Sequence, residues 1–271
     1  MIHLRREEVA YVDEIGRSGQ GAHGPLTREL ERSAARALGG RHAIAVSHGT
    51  AALHLALLSL DVGAGDEVIA PSYACAALLH AIHYTGATPV LVDIDPHTLN
   101  PTAEMVSHRL TPRTKAAIVT HTFGFPADVA SIARLGVAVV EDCAQALGAR
   151  YRGRPVGSWG RVAVCSFYAT KMICAGEGGM VATNDARIAA RVRDLSTPDL
   201  QPRYRVRYNY KLSDLAAGLA LSQLRQLNGF VERRRAIAQR YIDALADFSV
   251  QLQRPLAGAE PVFYRFVVSV P

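Results

Sequence analysis

Short apolar runs alternate with amphipathic stretches along most of this chain. The runs at 42–46, 67–70, 88–92, 115–120, 137–140 and 161–168 read as strands. Helical patterns lie between them, at 25–38, 51–60, 74–84, 101–110 and 128–135. Pro25 suits a first helical turn, and Gly39-Gly40 stops that helix. A second short apolar run at 180–183 follows a glycine cluster. Helices are expected at 186–195, from a Ser213-Asp214 cap to 227, and at 230–245, and then an apolar strand at 262–270. Residues 1–24 read as a short amphipathic piece and a glycine-rich loop (16–24), and 197–212 as a polar loop rich in arginine and aromatics. Strands alternating with helices predict an α/β protein with a mainly parallel sheet covered on both faces. In such sheets the ligand lies at the carboxyl ends of the strands. Here those ends carry residues 47–50, 71–73, Asp93, His121, Asp142 and 166–171.

Composition narrows the picture. At 271 residues and 49% hydrophobic content, the chain can bury a large core in one domain, or in one large and one small. No apolar run reaches the ~18 residues of a membrane span, and the N-terminus has no signal-peptide core. The four cysteines sit in or beside apolar segments without CxxC spacing, which predicts free thiols in a reducing, cytoplasmic setting. The net charge of +6 is spread over scattered arginines, with short clusters at 150–154, 203–207 and 233–235. No basic stripe with interleaved aromatics accompanies them, which argues against a nucleic-acid partner. Of 30 Lys+Arg only three are lysines: Lys115, Lys171 and Lys211.

That scarcity matters because arginine stays protonated and cannot serve as an amine nucleophile. Lys115 lies at the edge of a strand, and Lys211 precedes a helix cap. Lys171 follows a strand and is enclosed by small residues, with Gly176, Gly178 and Gly179 close behind. It is either an ordinary loop lysine or one held next to a bound carbonyl compound. At Ser47-His48-Gly49-Thr50 a strand passes into a helix. Free N–H groups, a positive dipole end, a glycine and a hydroxyl there suit a phosphate; alternatively Thr50 is simply the helix cap. Asp142 ends a strand, where a buried carboxylate needs a cationic partner, unless it caps a following helix.

Other signals carry less. Gly63-Ala64-Gly65 lies between a helix and a strand, the reverse of a dinucleotide fingerprint. His80 and His83 lack a third ligand, so no metal site is expected, and Asp93 and Asp95 read as turn residues. No Walker A, HExxH or GxSxG pattern is present.

Taken together, the strand ends supply what pyridoxal phosphate (PLP) requires. A lysine forms the Schiff base, a carboxylate keeps the pyridine nitrogen protonated, and hydroxyls with helix-end amides hold the phosphate. The chain order is phosphate loop, aspartate, serine, lysine. The stretches HAIAVSHGTAALHLAL, GDEVIAPSY, GATPVLVDID, VVEDCAQALGARYRGRPVGSWG, VAVCSFYATKMICAGEGGMVATN and YNYKLSDLAAGLALSQL resemble the DegT/StrS-type PLP-dependent nucleotide-sugar aminotransferases. The likeness runs from about residue 20 to the end of the sequence.

The resemblance implies a fold-type I architecture: a three-layer α/β/α large domain at 1–227, and the start of a small α+β domain at 228–271, where the family usually continues for roughly another hundred residues. It implies Lys171 as the Schiff-base lysine and Asp142 as the pyridine-nitrogen partner. Gly49, Thr50 and Ser166 match the phosphate cradle, Gln145 a residue near the ring and its phenolic oxygen, and Asn209 an asparagine that reaches the phosphate from the other subunit of a homodimer. Residues 21–25 match a loop near that shared entrance. Cys75 stands where the family commonly has an aromatic that stacks on the ring. The implied reaction moves an amino group from glutamate or glutamine to a nucleotide-linked keto-sugar, with no membrane or nucleic-acid partner. Two alternatives accompany it: a PLP-dependent sugar dehydratase, against which Lys171 argues because histidine replaces the lysine there, and a non-catalytic PLP-binding scaffold or regulator.

Overall fold

The computed structural model describes residues 23–198 and 204–270, with scattered residues between Val9 and Arg17. Those scattered residues are helical, and most of the loop expected over 16–24 lies outside the described residues.

The α/β alternation is realised in order. Helix α1 (Pro25–Ala37) leads to β1 (His42–Val46), α2 (Gly49–Ser59), β2 (Glu67–Pro71), α3 (Ala77–Tyr84) and β3 (Thr88–Val92). There follow α4 (Ala103–Ser107), β4 (Thr114–Thr120), α5 (Val129–Ala133) and β5 (Ala138–Asp142). A small hairpin, β6 (Arg150–Tyr151) and β7 (Arg154–Pro155), precedes β8 (Val162–Ser166) and β9 (Gly179–Thr183). Helices α6 (Ala186–Ser196), α7 (Asp214–Arg225) and α8 (Leu227–Ala244) come next, then two-residue strands β10 (Gln251–Leu252), β11 (Ala259–Glu260) and β12 (Val268–Ser269).

Seven strands form one sheet in the order β1-β9-β8-β5-β4-β2-β3. Strands β8, β5, β4, β2 and β3 pair in parallel, while β9 runs antiparallel to both β8 and β1. β1 therefore points the same way as the parallel set. The carboxyl ends of β1, β5 and β8 and the start of β9 consequently meet on one edge.

Helices cover both faces. One layer packs Leu30 of α1 and Leu221 of α7 against Ala43, Ala163 and Ala182 of the sheet. The opposite layer packs Leu55 of α2, Ile82 of α3 and Val192 of α6 against Ile44, Val164 and Val181. Every residue of β2 and β9 is buried, as expected for strands sandwiched between helices. No helix among the described residues is long and apolar enough to cross a membrane.

The α1 N-terminus is closed from far away in sequence. Gly24 has no capping side chain. The Asp214 carboxylate, at the start of α7, accepts from the backbone N–H groups of Gly24 (2.8 Å), Thr27 (2.9 Å) and Leu26 (3.2 Å), and from the Thr27 hydroxyl. Burial alone would raise this buried carboxyl, but those hydrogen bonds hold it below the ordinary carboxylate range.

Several expectations are corrected. The strand expected over 262–270 is not formed; only Val268–Ser269 is extended and paired. Phe263 has a φ of 49°, which breaks any strand there. The segment instead docks on a loop, with Val262 N–H donating to Gly124 C=O. Helix α3 begins at Ala77 rather than 74, and α4 spans only Ala103–Ser107 of the expected 101–110. Thr50 is not the cap of α2. His48 is, its Nδ1 accepting from Ala51 N–H at 2.9 Å.

Candidate active site

A cavity of about 470 Å³ opens where the strand ends converge, lined among others by His48, Gly49, Thr50, Asp142, Gln145 and Ser166, with Lys171 at its wall. Its floor depends on two glycines. A Cβ at Gly49 would lie 2.9 Å from Ser166 Cβ, and one at Gly179 would lie 2.6 Å from His48 C=O. The absence of those two methyl groups lets β1, β8 and β9 bring their ends together. His48, as the cap of α2, leaves Gly49 and Thr50 in the first turn, where unpaired N–H groups and the dipole favour an anion. The strand-to-helix passage is tied from outside by Ser47 N–H donating to Tyr210 C=O at 2.8 Å.

Asp142 is the last residue of β5, with its carboxylate accepting from Ala144 N–H at 2.9 Å. Burial pushes this carboxyl above its usual range. The Ala144 N–H and the positive field of Lys171 offset that in part. It is an acid short of charge compensation, and a cation placed against it would be held firmly.

Lys171 lies on the turn after β8, its N–H donating to Tyr168 C=O at 2.9 Å. Met172, Ile173, Cys174 and Ala175 are buried directly behind it, and Cys174 N–H donates to the Gln223 side chain at 2.9 Å. The lysine is thus mounted on a packed segment rather than a loose loop. No hydrogen bond or ion pair holds Nζ among the described residues; it stands 5.4 Å from the centre of the Tyr264 ring. Gln145 accepts Phe123 N–H through Oε1 at 2.7 Å, so its NH₂ group is the donor left for the cavity.

Of the residues singled out in the sequence, the fold brings Gly49, Thr50, Asp142, Gln145, Ser166 and Lys171 to this one cavity. Asn209 is not among its lining residues; it is exposed, and the rings of its two sequence neighbours, Tyr208 and Tyr210, stack on each other (5.3 Å, 17°). Cys75 is on the wall and exposed. The aromatic rings beside it are Tyr73 and Tyr168, each about half exposed. Sequence reasoning missed His48 as a cap, although it stood inside a motif already singled out. It also missed Tyr264, which nothing in the local sequence marks.

Behind the site, His121, Glu141 and Cys143 cluster closely enough to suggest a metal. Glu141 and His121 are already engaged, and burial pushes the Cys143 thiol up, which keeps it protonated. Glu141 accepts from the backbone N–H groups of Gly157 (2.7 Å), Trp159 (2.6 Å) and Gly160, and from His121 Nε2 at 3.2 Å. His121 Nδ1 accepts from Ala127 N–H at 3.0 Å. This is a structural knot that fixes residues 157–160 under β5.

The chain matches the DegT/DnrJ/EryC1/StrS aminotransferase family over residues 3–271. Among solved structures it is similar to the aminotransferase TlmJ from Streptoalloteichus hindustanus, at 39% identity and a TM-score of 0.93, over 98% of this chain and 76% of that one. It is also similar to DesI, solved in the presence of its TDP-sugar product, at 33% identity and a TM-score of 0.89, over 99% and 71% of the two chains. A third is Spr1654 from Streptococcus pneumoniae, whose PMP form matches at 27% identity and a TM-score of 0.93, over 99% and 76%. Its PLP form matches at 26% and 0.92 over the same shares.

Proposed function

We propose, on the premise that this chain belongs to the DegT/DnrJ/EryC1/StrS aminotransferase family, that it moves an amino group from glutamate or glutamine to a nucleotide-linked keto-sugar with PLP as cofactor, as a cytoplasmic homodimer. The observation that carries the reading is the meeting of Lys171, Asp142 and the Gly49–Thr50–Ser166 cradle in one cavity.

The residues fit the cofactor on the chemistry of their donors. Gly49 and Gly179 keep the helix N-terminus bare of side-chain bulk, so its amides, with the Thr50 and Ser166 hydroxyls, can take a phosphate. The buried Asp142 would face the pyridine nitrogen and keep it protonated. The Gln145 NH₂ would donate to the phenolic oxygen. Bound PLP supplies an electron sink that makes the substrate Cα–H acidic. Lys171 holds the cofactor between turnovers, and its freed amine carries the proton to and from that carbon.

Asn209 supports the dimer by its position. It is exposed and does not line this chain's own cavity, on a segment whose neighbour Tyr210 accepts from Ser47 N–H beside the cradle. Exposed Tyr204, Val206 and Leu215 accompany it. The arrangement suits delivery of Asn209 to the cradle of a second copy.

The test is an absorbance spectrum with PLP, before and after glutamate, followed by borohydride reduction and peptide mapping. A yellow band that bleaches with the donor, and a reduced adduct on Lys171 alone among the three lysines, are expected. An adduct on Lys115 or Lys211, or turnover by Lys171→Ala, would refute the assignment.

A further inference from the structure

Two groups compete for the Lys171 ammonium when it is not bonded to the cofactor. One is the Asp142 carboxylate, which feels the positive charge of Lys171. The other is the Tyr264 ring, whose centre is 5.4 Å from Nζ, within cation–π range. Nζ lies with the ring, and no ion pair joins it to Asp142 among the described residues.

The ring is fixed with unusual care for a residue in an irregular segment. Tyr264 is buried, and its hydroxyl is 3.2 Å from Thr170 Oγ1, on the residue just before the lysine. Arg234 donates to its backbone carbonyl at 3.1 Å and to that of Phe263 at 3.3 Å. Arg235 Nε donates to Pro261 C=O at 2.9 Å. Val262 and Tyr264 press so closely on Gly124 that a Cβ there would lie 2.8 Å from Val262 Cγ2 and 2.9 Å from Tyr264 N. Four residues of the same short segment are thus anchored, and the segment projects one ring at one lysine.

We infer that Tyr264 is a positioning residue for Lys171: its ring face holds the free ammonium off Asp142, so that the carboxylate stays available to the pyridine nitrogen. The inference rests on the cofactor reading above and adds a residue from the far end of the chain to its machinery. The charged or titratable groups around the pair include Asp142, Glu177 and Tyr168 on the cavity wall, Arg234 on the Tyr264 carbonyl, and Arg265, whose guanidinium is 5.3 Å from the same ring.

Competitive acetylation of the cofactor-free protein tests it, since only a neutral amine reacts. Rates at Lys171, with Lys115 and Lys211 as internal standards, are read by mass spectrometry from neutral to alkaline pH. Position 264 is varied through Tyr, Phe, 3,5-difluorophenylalanine and Leu; fluorine drains the negative ring face while keeping its shape. Phe should label like the wild type. The difluoro ring and Leu should release the ammonium to Asp142 and slow Lys171 labelling roughly two- to five-fold near neutrality, with the difference vanishing at the alkaline end. Equal rates across the series would overturn the inference. So would a speeding by Leu at any pH, because the ammonium would then have gained access to reagent rather than passed to Asp142. A separate arm adds PLP to the wild type, which should protect Lys171. Lack of protection would instead overturn the cofactor reading, and the purpose of the ring contact with it.

Discussion

Asp214→Ala removes the cap that joins the beginning of α1 to the beginning of α7. The carboxylate receives three backbone N–H groups and one hydroxyl, with distances of 2.8, 2.9 and 3.2 Å for the backbone donors. Charge-assisted bonds contribute about 1.5–3 kcal/mol each when counted singly. They are not additive on one carboxylate, and water can reach part of the opened helix end. Losing an ordinary helix cap costs about 1–2 kcal/mol; stranding buried donors adds at least as much again. A loss of about 4 kcal/mol follows, a large share of the ~5–15 kcal/mol typical of folded proteins.

Urea titration should show this as a lower midpoint at unchanged slope. Asp214→Asn, which keeps an acceptor but not the charge, should lose about half as much. The pH dependence separates charge from shape. Because the folded carboxyl is held below its ordinary range, its contribution is complete above the ordinary Asp value of about 3.9. It is lost as pH falls through the depressed folded value. The gap between wild type and Asp214→Asn should close over that acid window. An Ala variant within about 1 kcal/mol of wild type, or a gap that ignores pH, would refute the reasoning.

Three further outcomes are expected. Asp142→Asn should melt higher than the cofactor-free wild type near neutral pH. Burial raises the folded carboxyl, so the unfolded chain ionises first as pH rises and the penalty is complete above the folded value; the advantage should fade at acid pH. Gly179→Ala places a Cβ 2.6 Å from His48 C=O, so His48 and Gly49 must shift. PLP affinity, followed by fluorescence titration, should weaken about tenfold or more, from about 1–3 kcal/mol of overpacking; an unchanged Kd would count against the cradle. Glu141→Gln turns an amide NH₂ toward backbone donors now served by a carboxylate and should cost about 3 kcal/mol, visible as a lowered melting temperature.

The layers of the fold were legible because each strand is a short apolar run with a polar residue at its end, and parallel topology sends those ends to one edge. The same pattern sends Asp142, Ser166 and Lys171 to a common edge. The features that escaped it depend on distant parts of the chain. Asp214 read as part of a local cap, yet its side chain serves a helix 187 to 190 positions earlier. The run at 262–270 has the composition of a strand, but its backbone partner is the Gly124 loop, and Phe263 turns to a positive φ to reach it. Tyr264 sits in an apolar context that gives no hint of a lysine 93 positions before it. Its role is written in packing rather than in pattern.

The docking of residues 262–264 also bears on how the protein is made. Gly49, Asp142 and Lys171 all emerge from the ribosome well before the segment that brings Tyr264 to the lysine. A nascent chain that has formed its central sheet would present the lysine with one side open to water. The ring can take its place only after α7 and α8 have been synthesised and Arg234 and Arg235 can hold the segment. The ring neighbour of Lys171 is thus made after the rest of the lysine's surroundings, in an order set by the direction of translation.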